Sequence, residues 1–273
     1  MVRKLFKHEL KAYLRVLLIV WAGMLGVALL ARGVQFFEQD STVYDIVNGS
    51  SILAYVVGLL ACMAFPFILA IVRFYRNLFT GEGYLTFTLP VTSFGHIWVK
   101  LAAGVVMQAA TVLVMLLSAI IILSGDVLAE VFKAGDYLLT RIYTDIPELK
   151  IQLPLYFAEF LLLTIVSFAA ELLLYYTCIC VGQLTRKNRI LTAVGVYFGY
   201  YFTCQILQTI LTVLITFVPD MDKFLQPIFT FADKHPYGFF HLLLGGIIVL
   251  TAGLGVAFFA ISHAIVSKKL NLE

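Results

Sequence analysis

Charged side chains are scarce in this sequence: Asp, Glu, Lys and Arg make up 13% of the 273 residues, about half the share that is typical of soluble domains. Hydrophobic residues, in contrast, make up 62%. A soluble fold of this size has no way to bury so much apolar surface, so the composition excludes a soluble globular protein and predicts a membrane protein. The net charge of +3 gives no indication of nucleic-acid binding.

Motifs for catalysis and cofactor binding are also missing. The sequence contains no G-x-x-x-x-G-K-[ST] phosphate loop and no H-E-x-x-H zinc motif, and its five His residues are dispersed. Four Cys lie in apolar stretches, and Cys178 and Cys180 lack the two-residue spacer of common zinc and redox sites, which favours buried thiols. We therefore expect no enzyme active site and no metal or cofactor bound by this chain.

Long apolar runs occupy most of the sequence. A helix needs about 20 mostly apolar residues to cross the hydrocarbon core of a bilayer. Six runs meet this length, and none alternates polar with apolar residues as the strands of a membrane barrel do. The sequence thus predicts an all-α polytopic membrane protein, one transmembrane domain over 1–273, with spans near 13–31, 52–72, 101–123, 153–184, 191–218 and 240–266.

The positions of the basic residues predict the orientation. About two-thirds of the 19 Lys and Arg residues lie on the side that holds both ends of the chain, which places both termini in the cytoplasm. Residues 1–12 are basic and amphipathic and predict a short helix in the inner interface, with Phe6 and Leu10 on its apolar face. Outside, 219–235 is expected to be a loop, and 124–152 has apolar residues at helical spacing and is a candidate to rest on the outer leaflet.

Two acidic residues lie in the fourth span, Glu159 near its outer end and Glu171 near mid-depth. An ionised carboxylate at mid-depth costs about 2.5 kcal/mol or more on insertion scales. Both residues are candidate contacts on a substrate path, and Glu171 is also a candidate proton site; the alternative is a hydrogen bond between helices. Phe65 is a candidate for the aromatic lining of such a path, with plain packing as the alternative.

The cytoplasmic loop 73–100 is the most informative stretch. Its apolar residues are too few to span a membrane, and exposed apolar surface flanked by charge favours docking of a cytoplasmic partner. The alternative is a loop that folds against the inner membrane surface. Two glycines around an acid permit a turn, and a proline stops any helix that follows. These residues are, in order, Gly81, Glu82, Gly83, Leu85, Phe87, Leu89 and Pro90.

Three stretches carry a family resemblance: 76–91 within this loop together with Lys100, the Gly-Gln-Leu and basic turn over 182–189, and the tail 268–273. In these stretches, and in its six-span plan, the chain resembles the permease subunits of ATP-binding-cassette (ABC) transporters of the type-2 exporter family, in forms common in Gram-positive bacteria.

The resemblance implies a type-2 ABC exporter-like fold in a bacterial plasma membrane. It implies that 1–12 is a connecting helix, with Phe6 and Leu10, and that a separate cytoplasmic ABC ATPase binds ATP and Mg. A second permease copy or a paralogue would complete the translocation path. The implied ATPase-docking residues are Glu82, Gly83, Leu85, Thr86, Leu89, Pro90, Arg186 and Lys187.

The expected function is therefore that of a permease subunit in an ATP-driven exporter. Its substrate would be amphipathic or hydrophobic: a peptide, a drug or a lipid. Two alternatives stay open, an ion-coupled secondary transporter that uses Glu171 and a non-transporting membrane scaffold. Secondary transporters often contain inverted repeats, and the sequence shows no matching halves.

Overall fold

The structure, a computed structural model, describes residues 2–37, 41–80, 91–185, 187–217 and 221–268. The regular elements of these residues are all helices, of which there are eight. In chain order they are α1 (Val2–Gln35), α2 (Thr42–Phe79), α3 (Ser93–Ile122), α4 (Asp126–Asp145), α5 (Leu149–Gly182), α6 (Arg189–Phe217), α7 (Met221–Lys234) and α8 (Pro236–Lys268).

Six of these helices are long and apolar enough to cross a bilayer: α1, α2, α3, α5, α6 and α8. The shortest, α6, has 29 residues and is therefore about 44 Å long, more than the hydrocarbon core requires. Apolar side chains such as Ile19 and Phe217 are about three-quarters exposed on the chain, as expected for residues whose solvent is lipid. The predicted six-helix polytopic membrane protein is confirmed at this level.

The helices extend beyond the predicted spans. The second span was predicted to begin near residue 52, but α2 begins at Thr42, where the Ser41 hydroxyl accepts a hydrogen bond from the Val43 amide and caps the helix. The predicted interfacial helix 1–12 differs as well, because it forms the first turns of α1 rather than a separate element. No Gly or Pro occurs between residues 2 and 22 to interrupt that helix.

Two shorter helices, α4 and α7, connect the spans. Helix α4 lies within 124–152, where apolar residues recur at helical spacing, and none of its residues is buried. The prediction of a loop over 219–235 is wrong for residues 221–234, which form α7. This segment has an apolar face that includes Leu225, Ile228 and Phe229, a period that favours a helix despite Pro227 in its interior.

The chain divides into two compact units, Met1–Lys150 and Ile151–Glu273. In the first unit α1, α2 and α3 pack together as a bundle. Tyr55 of α2 shares a buried hydrogen bond with Ser118 of α3 (3.2 Å), and the Trp21 indole of α1 donates to Thr111 of α3 (3.1 Å). Because lipid offers polar groups no partners, such bonds between helices satisfy them internally.

The second unit contains most of α5 together with α6, α7 and α8. The Thr177 hydroxyl of α5 lies 2.9 Å from the Ser262 hydroxyl of α8, which joins these two helices. Between α5 and α6 the chain reverses tightly: a Cβ at Gly182 would lie 2.6 Å from the Arg189 carbonyl oxygen, so only glycine fits there. Asn188 in the same turn has a left-handed φ of 56°, which Asn tolerates better than most residues.

Candidate functional site

A buried cluster of charges joins the three helices of the first unit where α1 begins, α2 ends and α3 begins. Its centre is Glu9 of α1, which is 5% exposed. Lys100 of α3 donates to one carboxylate oxygen at 2.7 Å, and Asn77 of α2 donates to the same oxygen at 3.3 Å. The other oxygen accepts from both Nη2 and Nε of Arg73 on α2, the latter at 3.2 Å. One carboxylate thus holds groups from two other helices.

Helical periodicity explains why the side chains of this cluster meet. Glu9, Tyr13 and Leu17 are four residues apart on α1 and are all buried, so the acid belongs to the face that packs on the bundle. Arg73 and Asn77 are likewise four apart on the last turns of α2, and the Arg73 guanidinium lies 5.1 Å above the Tyr13 ring. The cation–π contact fixes the guanidinium beside the carboxylate.

Helix α3 contributes through its first two turns. The Thr92 hydroxyl accepts a hydrogen bond from the Gly95 amide at 3.3 Å and caps the helix. His96 and Lys100 are four residues apart and are both buried, so the same face of α3 meets α1. With one carboxylate, one ammonium and one guanidinium, Glu9, Lys100 and Arg73 together carry a net charge of +1.

We call these residues the Glu9 cluster (Glu9, Arg73, Asn77 and Lys100). The cluster contains residues from both ends of the predicted cytoplasmic loop. The loop was predicted over 73–100, but α2 extends to Phe79 and α3 begins at Ser93, so both ends of the predicted loop are helical, and 80–92 is the segment between these two helices. Arg73 and Asn77 precede that segment and Lys100 follows it. Both of its flanks are therefore fastened to α1.

Most of the predicted docking residues lie outside the described part of the chain. These are Glu82, Gly83, Leu85, Thr86, Leu89, Pro90 and Arg186.

Three predicted contact residues are described. Lys187 is exposed in the turn between α5 and α6. Phe6 and Leu10 are half-buried on α1, on either side of Glu9 in the sequence.

Glu171 lies among tyrosines between α5 and α6. The Tyr201 hydroxyl donates to its two carboxylate oxygens at 3.2 and 3.3 Å. The rings of Tyr175 and Tyr197 stack with centroids 5.5 Å apart, and Tyr197 meets Tyr201 edge to face at 4.8 Å. Glu171 is about 16 Å from the end of α5 at Gly182 by helical rise, so the structure places this acid deep within a span-length helix.

Glu159 belongs to a separate group near the beginnings of α5 and α8. One of its oxygens lies 2.8 Å from Nδ1 of His241, whose Nε2 lies 2.7 Å from the Gln152 side-chain oxygen. The Tyr156 ring stacks on His241 at 4.3 Å. These contacts link α5 to α8, so Glu159 has an evident role in joining helices.

Phe65 lies half-buried on α2 beside the buried Pro66, in the other unit. Within the second unit, Glu171 and Glu159 contact different groups and do not share a site.

The described residues contain no group of three or more His, Cys, Asp or Glu side chains suited to a metal ion. The four cysteines are free thiols. Cys62, Cys178 and Cys180 are buried, as the apolar context predicts, whereas Cys204 is exposed.

Sequence reasoning missed Glu9 as the centre of a site. The available signal was an acid four residues before Tyr13 on the amphipathic start of α1, on the side of the membrane where acids are rare. A carboxylate at such a position needs buried partners. The partners themselves, 64 to 91 residues away, were not identifiable from spacing.

Comparison of the chain with protein-family models, with curated proteins and with solved structures finds no match. The features of the described chain that bear on function are the six span-length helices and the clusters around Glu9 and Glu171.

Proposed function

We propose that this chain is the membrane subunit of an ATP-driven exporter, a permease of the type-2 ABC kind, and that a separate cytoplasmic ATPase supplies the energy. One observation carries the proposal: the Glu9 cluster fastens α1 to both helices that flank the segment 80–92. A permease that is driven from outside needs such a mechanical connection between its docking loop and its spans.

The connection between the three helices is stiff because breaking the buried ion pair between Glu9 and Lys100 costs free energy. The Lys100 ammonium and the Glu9 carboxylate are 2.7 Å apart, and both side chains are about 5% exposed. Removing one partner of a buried pair of this kind costs about 3–5 kcal/mol. A force applied to the segment 80–92 is therefore transmitted to three spans together, since packed interiors pass displacement on with little compression.

The remaining features fit this mechanism. The basic residues that frame the segment predict a cytoplasmic location, where an ATPase that holds ATP and Mg is accessible. Lys187, exposed in the turn between α5 and α6, supplies a second contact on the same predicted side. A second copy of the chain or a paralogue completes the path, and both termini lie in the cytoplasm.

Reconstitution tests the proposal. The chain is purified from its native membrane, the co-purifying protein is tested for a phosphate loop, and ATP hydrolysis is measured in proteoliposomes with and without the chain. We expect the chain to bind an ATPase and to stimulate it, and Glu82→Arg to abolish binding. Recovery of no ATPase, or full binding and stimulation with Glu82→Arg, contradicts the proposal.

A coupling variant tests the Glu9 cluster itself. Lys100→Met removes the α3 link while Arg73 still pairs with Glu9, so the ATPase should bind normally but its stimulation should fall severalfold. Glu130→Gln on the exposed helix α4 is the matched control. Unchanged stimulation with Lys100→Met contradicts the role assigned to the cluster.

A second candidate is an ion-coupled secondary transporter, which the hydrogen bond from Tyr201 to Glu171 favours. An intramembrane acid with a polar partner is a common proton site in such proteins. Transport into proteoliposomes driven by a pH gradient without ATP, and abolished by Glu171→Gln, would select this candidate. Dependence on ATP selects the exporter.

A further inference from the structure

We propose that Glu171 and the tyrosines around it form a binding site for a lipophilic organic cation. The site consists of Glu171 and Tyr175 on α5 with Tyr197 and Tyr201 on α6; we call it the tyrosine site. Its ligand would be an amphipathic molecule with one positive charge and an apolar body. The inference deepens the proposed function by naming a substrate class, and it rests on that function for transport but not for binding.

The first observation is that this carboxylate lacks a protein counter-ion. Glu9 pairs with Lys100 and Arg73, and Glu159 pairs with His241. Within the part of the chain that the structure describes, no Lys, Arg or His forms an ion pair with Glu171; its hydrogen-bond partners are phenols, those of Tyr201 and Tyr175. A carboxylate at membrane depth is expensive to ionise unless an opposite charge accompanies it, and a cationic ligand supplies that charge.

The second observation is the arrangement of aromatic rings beside the carboxylate. Tyr175 and Tyr197 are stacked, Tyr201 meets Tyr197 edge to face, and Tyr200 packs on Phe258 of α8 at 5.5 Å. Aromatic faces attract cations, most strongly where water is absent, and they recognise organic ammonium groups in particular. Rings that hold an apolar body beside one acid suit a lipophilic cation better than an inorganic one.

The third observation is that a ligand can reach the site. Tyr201 is 43% exposed on the chain, so the hydroxyl that contacts Glu171 belongs to a residue that a ligand can reach. Glu171 lies about 16 Å along α5 from its end at Gly182, a distance similar to half the thickness of the hydrocarbon core. A ligand that partitions into the bilayer therefore arrives at this level with its apolar body already solvated by lipid.

The same chemistry argues against other ligands. An anion would meet a carboxylate with no cationic partner among the described residues. A hard metal ion needs several oxygen ligands, commonly six, and the described part of the chain has no group of three or more His, Cys, Asp or Glu side chains that suits a metal ion. The proton, which would make Glu171 part of an ion-coupled carrier, is the competing outcome of the test below.

A pair of probes with the same shape and opposite charge tests the site. The full chain is placed in nanodiscs of phosphatidylcholine, and binding of tetraphenylphosphonium and of tetraphenylborate is measured against empty nanodiscs. We expect saturable binding of the phosphonium, about one per chain, and no saturable binding of the borate. Equal binding of both ions, or no saturable binding of the phosphonium, overturns the proposal.

Substitutions locate the binding. Glu171→Gln keeps the side-chain shape and should weaken phosphonium binding about tenfold or more. Tyr197→Leu, which removes a ring face, should weaken it about three- to thirtyfold, whereas Tyr197→Phe retains it. Phe157→Leu changes an exposed ring on the same helix and is the matched control, with no expected change. Wild-type affinity in folded Glu171→Gln protein overturns the proposal.

The two proposals fail separately. Loss of phosphonium selectivity while the ATPase still binds and is stimulated contradicts the tyrosine site alone. Selective phosphonium binding without any partner ATPase contradicts the exporter alone. Proton release or uptake at Glu171 with no phosphonium binding replaces the cation site by the proton site of a secondary carrier.

Discussion

Neutralising Glu9 is the perturbation with the most definite expected effect. Glu9→Gln keeps the size and hydrogen-bonding shape of the side chain but leaves the ammonium of Lys100, which is 4% exposed, beside a neutral amide. At the observed 2.7 Å the lost attraction is about 6 kcal/mol with an effective dielectric constant of 20. Part of this is offset because the carboxylate no longer has to be desolvated, so we expect a net loss of about 3–5 kcal/mol in the free energy of unfolding.

The relative stabilities of related variants give a further test of this prediction. Lys100→Met should cost less than Glu9→Gln, because Arg73 and Asn77 still donate to the carboxylate. The double variant Glu9→Gln with Lys100→Met should lose at least about 2 kcal/mol less stability than the two single variants lose together. The reason is that the double variant leaves no ammonium buried beside an amide. The Arg73 side chain is 22% exposed, so in the single and the double variant that carry Glu9→Gln its guanidinium can reach the membrane interface.

Unfolding in mixed micelles by titration with sodium dodecyl sulfate measures these differences. Tryptophan fluorescence is a suitable signal, because Trp21 on α1 is bonded to Thr111 on α3 and reports on the separation of these helices. Glu130→Gln on the exposed α4 controls for the loss of one charge. Stability of Glu9→Gln within about 0.5 kcal/mol of the unaltered chain, the scatter of surface substitutions, would refute the reasoning.

Three further predictions concern the second unit, and all are measured by thermal unfolding in detergent. Gly182→Ala places a Cβ 2.6 Å from the Arg189 carbonyl oxygen and should cost about 2 kcal/mol through the forced backbone shift; an unchanged midpoint would show that the turn is looser than described. Thr177→Val removes the hydroxyl that meets Ser262 and should cost about 0.6–1.7 kcal/mol, whereas Thr177→Ser should restore stability. Asn188→Val should cost about 1–2 kcal/mol because φ is 56°, and Asn188→Gly should not; equal losses would contradict the left-handed backbone.

The spans were predictable because their signal is local. An apolar run such as 101–123 specifies a membrane helix by its own length, whatever the rest of the chain does. Helix ends were predicted less well: α2 begins at Thr42 rather than near residue 52, because the polar residues around Asn48 and Ser50 lower the hydropathy without ending the helix. Backbone hydrogen bonding, rather than hydropathy, decides where such a helix stops.

The candidate sites were predicted in part. Glu171 and Glu159 were both identified as intramembrane acids and were separated by their depth in the span, but the sequence did not indicate their partners. The structure gives Glu159 the His241 partner and gives Glu171 the phenol of Tyr201. That difference depends on which faces of α5, α6 and α8 meet, and the apolar periodicity of spans that are hydrophobic all round does not reveal those faces.

The sequence by itself determined that lipid is the solvent, that six helices cross it, and that charge is concentrated at a few positions, because hydrophobicity and length act within single segments. Only the tertiary structure decided which charges neutralise one another. Glu9 meets Arg73 and Lys100 across 64 and 91 residues of chain. Pairing at that range is selected by the packing of three helices, in which a buried carboxylate is stable only where its partners converge.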